Sequence, residues 1–256
     1  MRARVVAALR GARWLAEGWR LFRVSPPMWI VLVFAYWLLM SAVSIVPLVG
    51  VAAATVLIPA FSVGFMSASR SCEHGQAPGL AQLFAGLREN LATQLRLGGV
   101  YLACLAALLA ASAFADHGAL AHWMIAGQRP SDQMLRSSGF ALALTSAAAL
   151  YLPVMMMFWF APVLAAWHGL SATKALFFSF FAALINWRAF LVYAAVAALI
   201  TMVIPFVLLG VLSLALGAQP VPLAALVFLL LVVLLPILLA SFYASYRDVF
   251  APPVEA

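Results

Sequence analysis

VSPPMWIVLVFAYWLLMSAVSIVPLVGVAAATVLIPAFSVGFMSAS, residues 24–69, decides the fold class. It holds no charged side chain, and neither does the stretch 189–246. The hydrocarbon core of a bilayer is about 30 Å thick, and ~20 helical residues cross it. Each run is therefore long enough for two spans joined by a tight turn. In lipid, a helix satisfies all its backbone hydrogen bonds internally, which a single open strand cannot do. Composition agrees. Hydrophobic residues make up 67% of the 256, charged residues 8%, and mean hydropathy is +1.12. Soluble domains carry about 25% charge. The sequence predicts an all-α, polytopic, six-helix transmembrane bundle.

Six spans follow from the apolar runs. They cover roughly Met28–Val46, Val51–Ser69, Leu91–Phe114, Gly139–Trp167, Trp187–Leu216 and Val221–Tyr246. The net charge of +7 is distributed asymmetrically. With the N-terminus inside, the cytoplasmic segments hold every Arg and Lys except Arg129 and Arg136. Basic residues favour the cytoplasmic side, so both termini are expected in the cytoplasm of a bacterial inner membrane. The basic N-terminus lacks the short apolar region and cleavage site of a secretory signal and is expected to be retained. Most Trp and Tyr residues, Tyr101 and Tyr151 among them, are read as interfacial anchors.

The chain is expected to form one integral membrane domain of three hairpins, each preceded by a short cytoplasmic interfacial helix. The divisions are 1–27 for the first such helix and 28–70 for hairpin one. Residues 71–168 and 169–250 each hold a surface helix plus a hairpin, and 251–256 form a tail. In the first segment Arg10, Arg13, Glu17 and Arg20 share one helical face, opposite Trp14, Leu15, Leu21 and Phe22. A basic face opposite bulky apolar side chains suits a helix lying at the interface over residues 5–22. The second and third segments parallel each other: Gly75 and Gly169 follow even-numbered spans, and Asn90 and Asn186 precede odd ones. Each Asn is expected to cap its span. Pro59, Pro153, Pro162, Pro205 and Pro236 are expected at helix kinks. Equal spacing separates Pro59 from Arg70 and Pro236 from Arg247.

The N-terminal Trp/Arg helix, that Pro–Arg spacing, the Gly75–Pro78 loop and the closing motif Ser241-Phe242-Tyr243-Ala244-Ser245-Tyr246-Arg247-Asp248-Val249-Phe250 form a set. With these features the chain resembles an uncharacterised family of six-span bacterial inner-membrane proteins. That family is similar in layout to the membrane domain of some glycerophosphodiester phosphodiesterases. The resemblance implies an architecture and carries no catalytic activity, because the soluble phosphodiesterase domain has no counterpart here.

Catalytic chemistry has no visible carrier. There is no G-x-S-x-G and no HExxH motif. No span has a central ionisable residue, which argues against ion coupling. Asp116, His117, His122 and Asp132 read as a solvated external loop, and Glu73 with His74 as a solvent-facing pair. Cys72, placed in a loop, and Cys104, in a span, are expected to remain unpaired. Met155, Met156 and Met157 point in three directions on a helix and are apolar filler. No cofactor or metal is expected.

The resulting expectation is a non-catalytic bundle that binds lipid or partner proteins. Its partners would be membrane phospholipids and other membrane proteins, with no nucleic acid. Arg10, Arg13, Arg20, Arg23, Arg70 and Arg247 are the candidate lipid-headgroup contacts. The alternative is an uncoupled transporter or channel for an uncharged or amphiphilic molecule. An apolar, side-opening groove would favour the first reading, and a continuous polar-lined cavity the second.

Overall fold

The computed structural model describes residues 3–127, 129–216 and 220–250. The expected connection at 217–219 and the tail 251–256 lie outside the described residues. Among the described residues there is helix and no strand. Helix α1 is Arg10–Phe22, α2 Pro26–Val43 and α3 Val49–Glu73. Short helices α4 (Leu80–Leu83) and α5 (Ala85–Arg88) lead to α6 (Leu91–Asp116). Helices α7 (Ala119–Ala126) and α8 (Asp132–Leu135) precede α9 (Ser138–Phe158) and α10 (Ala161–His168). Then come α11 (Ala172–Ile185), α12 (Trp187–Ala198), a π-helical turn at Leu199–Val203, α13 (Ile204–Leu216) and α14 (Pro220–Phe250).

Among the described residues, six helices are long and apolar enough to cross a membrane: Pro26–Val43, Val49–Glu73, Leu91–Asp116, Ser138–His168, Trp187–Val211 and Val232–Phe250. These follow the six predicted spans in order. The chain forms two compact units. The first holds 1–38, 63–85 and 182–256, and the second 39–62 and 86–181.

In the first unit α1 packs on α12 and α14. Its buried face is Gly11, Trp14, Leu15, Gly18, Leu21 and Phe22, on the side the sequence marked as apolar. The partner differs from the expectation, however: this face is filled by protein. A Cβ on Gly11 would lie 2.0 Å from the Ala189 carbonyl oxygen, and one on Gly18 would lie 2.4 Å from that of Ile237. The two backbones therefore approach as only glycine allows. Trp14 fills the space between, with ring centroids 5.3 Å from Phe190 and 6.0 Å from Tyr193. Tyr193 and Ser241 are hydrogen-bonded at 2.8 Å beneath it. The helix begins at Arg10, later than predicted, because residues 3–7 run non-helically.

Helix α3 ends in a Schellman turn. Gly75 adopts φ +73°, its N–H donates to the Cys72 carbonyl, and that of Gln76 donates to Ser71. The left-handed residue costs a glycine nothing. Gly169 closes α10 at φ +63°, so the parallel read between the two segments has a common backbone basis. Cys72 is a buried residue of α3 rather than a loop residue, and both cysteines are free.

The prolines divide into two groups. Helix continues through Pro59, Pro153 and Pro236. It is interrupted at residues 159–160, just before Pro162, and in the π turn just before Pro205. In that turn the Ile204 N–H bonds the Leu199 carbonyl, the widened step that accommodates a proline ring. At the first break, in the second unit, a side chain repairs the ladder. The Ser179 hydroxyl donates to the Met156 carbonyl at 2.8 Å and accepts from the Phe160 N–H at 2.9 Å. Those two backbone groups would bond each other in an unbroken helix. Helix α11 supplies this serine. It also exposes the large apolar side chains Phe177, Phe181, Leu184 and Ile185.

Candidate functional site

Two places concentrate the polar chemistry, one in each unit. In the first unit, the end of α14 carries Arg247 and Asp248, and these are locked to α1. Asp248 is buried, 4% exposed. It accepts from Arg10 Nε at 2.7 Å, Arg10 Nη2 at 2.5 Å and Trp14 Nε1 at 2.8 Å. The two Arg10 bonds form a bidentate charge-assisted pair. The hydrogen bond to Asp248 holds the Arg10 guanidinium pKa above its ordinary value. Arg247 pairs with both Glu17 of α1 and Glu73 of α3, and Tyr243 donates to Glu73. Arg247 thus joins three helices, and Glu73 ties α3 to α14, where the sequence suggested a solvent-facing residue. Arg4 donates to the carbonyl of Asp248 and its N–H to that of Val249.

Asn186 completes this clasp. Its Oδ1 accepts from the Val6 N–H at 2.8 Å, and its Nδ2 donates to the carbonyls of Arg4 and Ala182. It makes no capping bond to α12. Asn90, in the second unit, also departs from the expected cap: it sits at φ +55° and donates to the Ala165 carbonyl at 3.2 Å. Both asparagines stand at the N-cap position of the following helix, as expected, but their side chains tie other backbone instead of capping it. One turn on, Gln94 donates to the Pro162 carbonyl at 2.9 Å.

The six predicted headgroup arginines therefore separate. Arg10 and Arg247 are engaged by carboxylates of the protein. Arg13, Arg20, Arg23 and Arg70 are exposed. The Arg23 guanidinium lies 5.8 Å from the Trp19 ring centroid, a cation–π arrangement.

The second unit contains a half-open groove of about 430 Å³ between α6 and α9, roofed by α7. Tyr101, Leu105, Leu108 and Leu109 line one wall. Leu144, Ala147, Ala148 and Tyr151 line the other, and Leu120 and Met124 lie above. The roof is fixed by Asp116, only 2% exposed. Its carboxylate accepts from the N–H groups of Gly118 at 2.9 Å and Leu120 at 2.7 Å. This residue was read as part of a solvated loop; it is a buried helix cap. Leu120 packs with Phe140 and Ala147, and Trp123 stacks at a tilt 6.2 Å from Phe140.

Tyr101 and Tyr151 give the groove its polar feature. Their hydroxyl oxygens are 3.0 Å apart and hydrogen-bonded. Each lies near the middle of its span, Leu91–Asp116 and Ser138–His168, so they are not interfacial anchors. No group of three metal-ligating side chains occurs among the described residues.

A "probable inner membrane protein" of Burkholderia thailandensis is 40% identical to this chain over 251 residues, covering 96% of this chain and 92% of that protein. No family model matches the chain. No solved structure matches it either. At that identity and coverage, the chain belongs to the same family as the Burkholderia thailandensis protein.

Proposed function

We propose that the protein is a non-catalytic lipid-binding component of the bacterial inner membrane, and that the groove of the second unit holds a lipid chain. The observation that carries this reading is the groove's lining: apolar side chains throughout, broken by two tyrosine hydroxyls. Ligand sites are typically apolar concavities with a few placed polar groups. The relative's name supports the inner-membrane location. The exposed Arg13, Arg20, Arg23 and Arg70 suit anionic headgroups, each contributing ~1 kcal/mol near the membrane surface. With both termini in the cytoplasm, these four lie at the inner leaflet. The likeness in layout to the membrane domain of some glycerophosphodiester phosphodiesterases belongs to this reading as an architectural parallel.

Native mass spectrometry of gently extracted protein tests it. Wild type should retain phospholipid, and Ala148→Phe, which fills the groove from an exposed position, should retain several-fold less. Flux of an uncharged solute through proteoliposomes, abolished by the same substitution, would establish transport instead. The interrupted spans at Phe160 and Leu199–Val203 supply a structural motive for that second reading, since broken helices are common in transporters. Orientation has its own test. A cysteine at Ser131 should be labelled from outside spheroplasts and one at Ala81 should not; the reverse pattern overturns the topology.

A further inference from the structure

We infer that the groove takes its lipid from the outer leaflet, and that Arg136 holds the phosphate of that lipid. The inference adds a leaflet and a headgroup contact to the lipid-binding reading, and it rests on that reading and its orientation.

Length assigns the leaflet. The span Leu91–Asp116 has 26 residues, or ~39 Å at helical rise, close to the ~40 Å of a bilayer with its headgroups. Mid-membrane therefore lies ~20 Å from either end. On α6 the lining runs from Leu109, ~10 Å from Asp116, to Tyr101, ~22 Å from it. On α9 it runs from Leu144, ~9 Å from Ser138, to Tyr151, ~20 Å from it. Both walls cover the same half of the membrane, from below the headgroups to about the middle, the depth one acyl chain occupies. This is the half on the α7 and α8 side. Arg88 and Arg96 mark the opposite end of α6 as cytoplasmic.

The mouth opens on hydrocarbon. Leu144 and Met124 line the groove and are exposed, as are Phe114 of α6 and Leu142 and Leu152 of α9. Exposed apolar surface of this extent marks contact with lipid, so a chain can enter sideways from the leaflet.

Charge then singles out the headgroup contact. Arg136 stands just ahead of α9, and its neighbour Leu135 packs on the cluster of Leu120, Phe140 and Ala147 at this end of the groove. Ser137 fixes the junction, its hydroxyl accepting from the Phe140 N–H at 3.1 Å. Arg136 is exposed and forms no ion pair among the described residues, whereas Arg129 is paired with Asp132 at 3.2 Å. Asp116 is buried and gives its carboxylate to the N–H groups of α7. No charged residue lines the groove. An exposed guanidinium at the head of an uncharged groove one chain deep matches a phosphate that carries an acyl chain.

The experiment uses phosphatidylglycerol with a diazirine on its acyl chain. It is added to the outside of right-side-out or inverted membrane vesicles holding the full-length protein and photolysed at once on ice. Ser131→Cys labelling in the same vesicles reports which face carries α8. Adducts on 144–151, mapped by peptide mass spectrometry, should be several-fold more abundant when the probe enters the leaflet on the α8 side. Arg136→Gln should lower that yield about five-fold, the size of one arginine–headgroup contact, at an unchanged melting temperature. Arg129→Gln should leave it unchanged. Equal yield from both leaflets, or greater yield from the one opposite α8, would overturn the leaflet assignment and leave lipid binding standing. Wild-type yield in Arg136→Gln, or an equal loss in Arg129→Gln, would overturn the phosphate contact. No adduct in the groove from either side would overturn the lipid-binding reading as well.

Discussion

The two units handle polar groups in opposite ways. In the first, the described carboxylates are consumed: Asp248, Glu17 and Glu73 are matched to Arg10 and Arg247 across α1, α3 and α14. In the second, the groove is nearly free of polarity, and its two tyrosine hydroxyls bond each other at 3.0 Å. A consumed charge is a fastening, because it already has an oppositely charged protein partner. An apolar concavity with a few placed polar groups is the usual form of a ligand site. The abundance of arginine near α1 therefore says less about function than two tyrosines do.

The fastening should fail most severely where backbones touch. Gly11→Leu places a side chain where the Ala189 carbonyl already stands, and overpacking of this kind costs about 3 kcal/mol or more. Thermal unfolding in detergent should show a large loss, and α1 should become accessible to protease. An unchanged melting temperature would mean that α1 does not dock as described. Asp248→Asn comes next. It leaves Arg10 without its bidentate partner and should cost about 2–3 kcal/mol, less than a fully buried pair because Arg10 keeps some solvent contact. Asp132→Asn, whose pair with Arg129 is exposed, should change stability by under ~0.5 kcal/mol. Comparable effects at both aspartates would erase the distinction between fastening and surface charge.

Ser179→Ala sharpens the picture within the second unit. It removes the hydroxyl spliced between Met156 and Phe160 and should cost about 1–2 kcal/mol. A neutral result would show that the helix closes its own gap. Smallest in stability is the joint change of Arg13, Arg20 and Arg23 to Gln, expected within ~0.5 kcal/mol in detergent. The same protein should co-purify with less anionic phospholipid. Unchanged phospholipid content would remove these arginines from headgroup recognition.

Span positions were readable from the sequence because hydrocarbon thickness imposes a length and a composition at once. The faces of α1 were readable too, since periodicity fixes which side chains point together. Periodicity does not name the partner. Trp14 and Leu21 look the same whether they face lipid or, as found, α12 and α14. The Arg10–Asp248 pair closes over 238 positions, and nothing local marks it. Counting basic residues treats each arginine as solvated, so Arg10 and Arg247 passed as headgroup contacts. Gly11 and Gly18, one heptad apart on the apolar face, were the available signal for a helix that docks on protein. Asn90 and Asn186 misled for a related reason. An asparagine ahead of a helix is a good cap locally, but these two side chains found distant carbonyls. Tyr101 and Tyr151 were assigned to the interface by residue type, although their distance from either span end placed them near the middle.

The central claim is that the groove between α6 and α9 holds a lipid chain. Its most direct test is photo-crosslinking in native membranes, with a benzophenone side chain introduced at Leu144 of the groove and, as control, at Phe206 of α13, a strongly exposed position in the other unit. A groove site predicts a discrete phospholipid adduct at Leu144 that Ala148→Phe suppresses, with the Phe206 signal unaffected. Adducts of equal yield and composition at both positions, indifferent to Ala148→Phe, would contradict it.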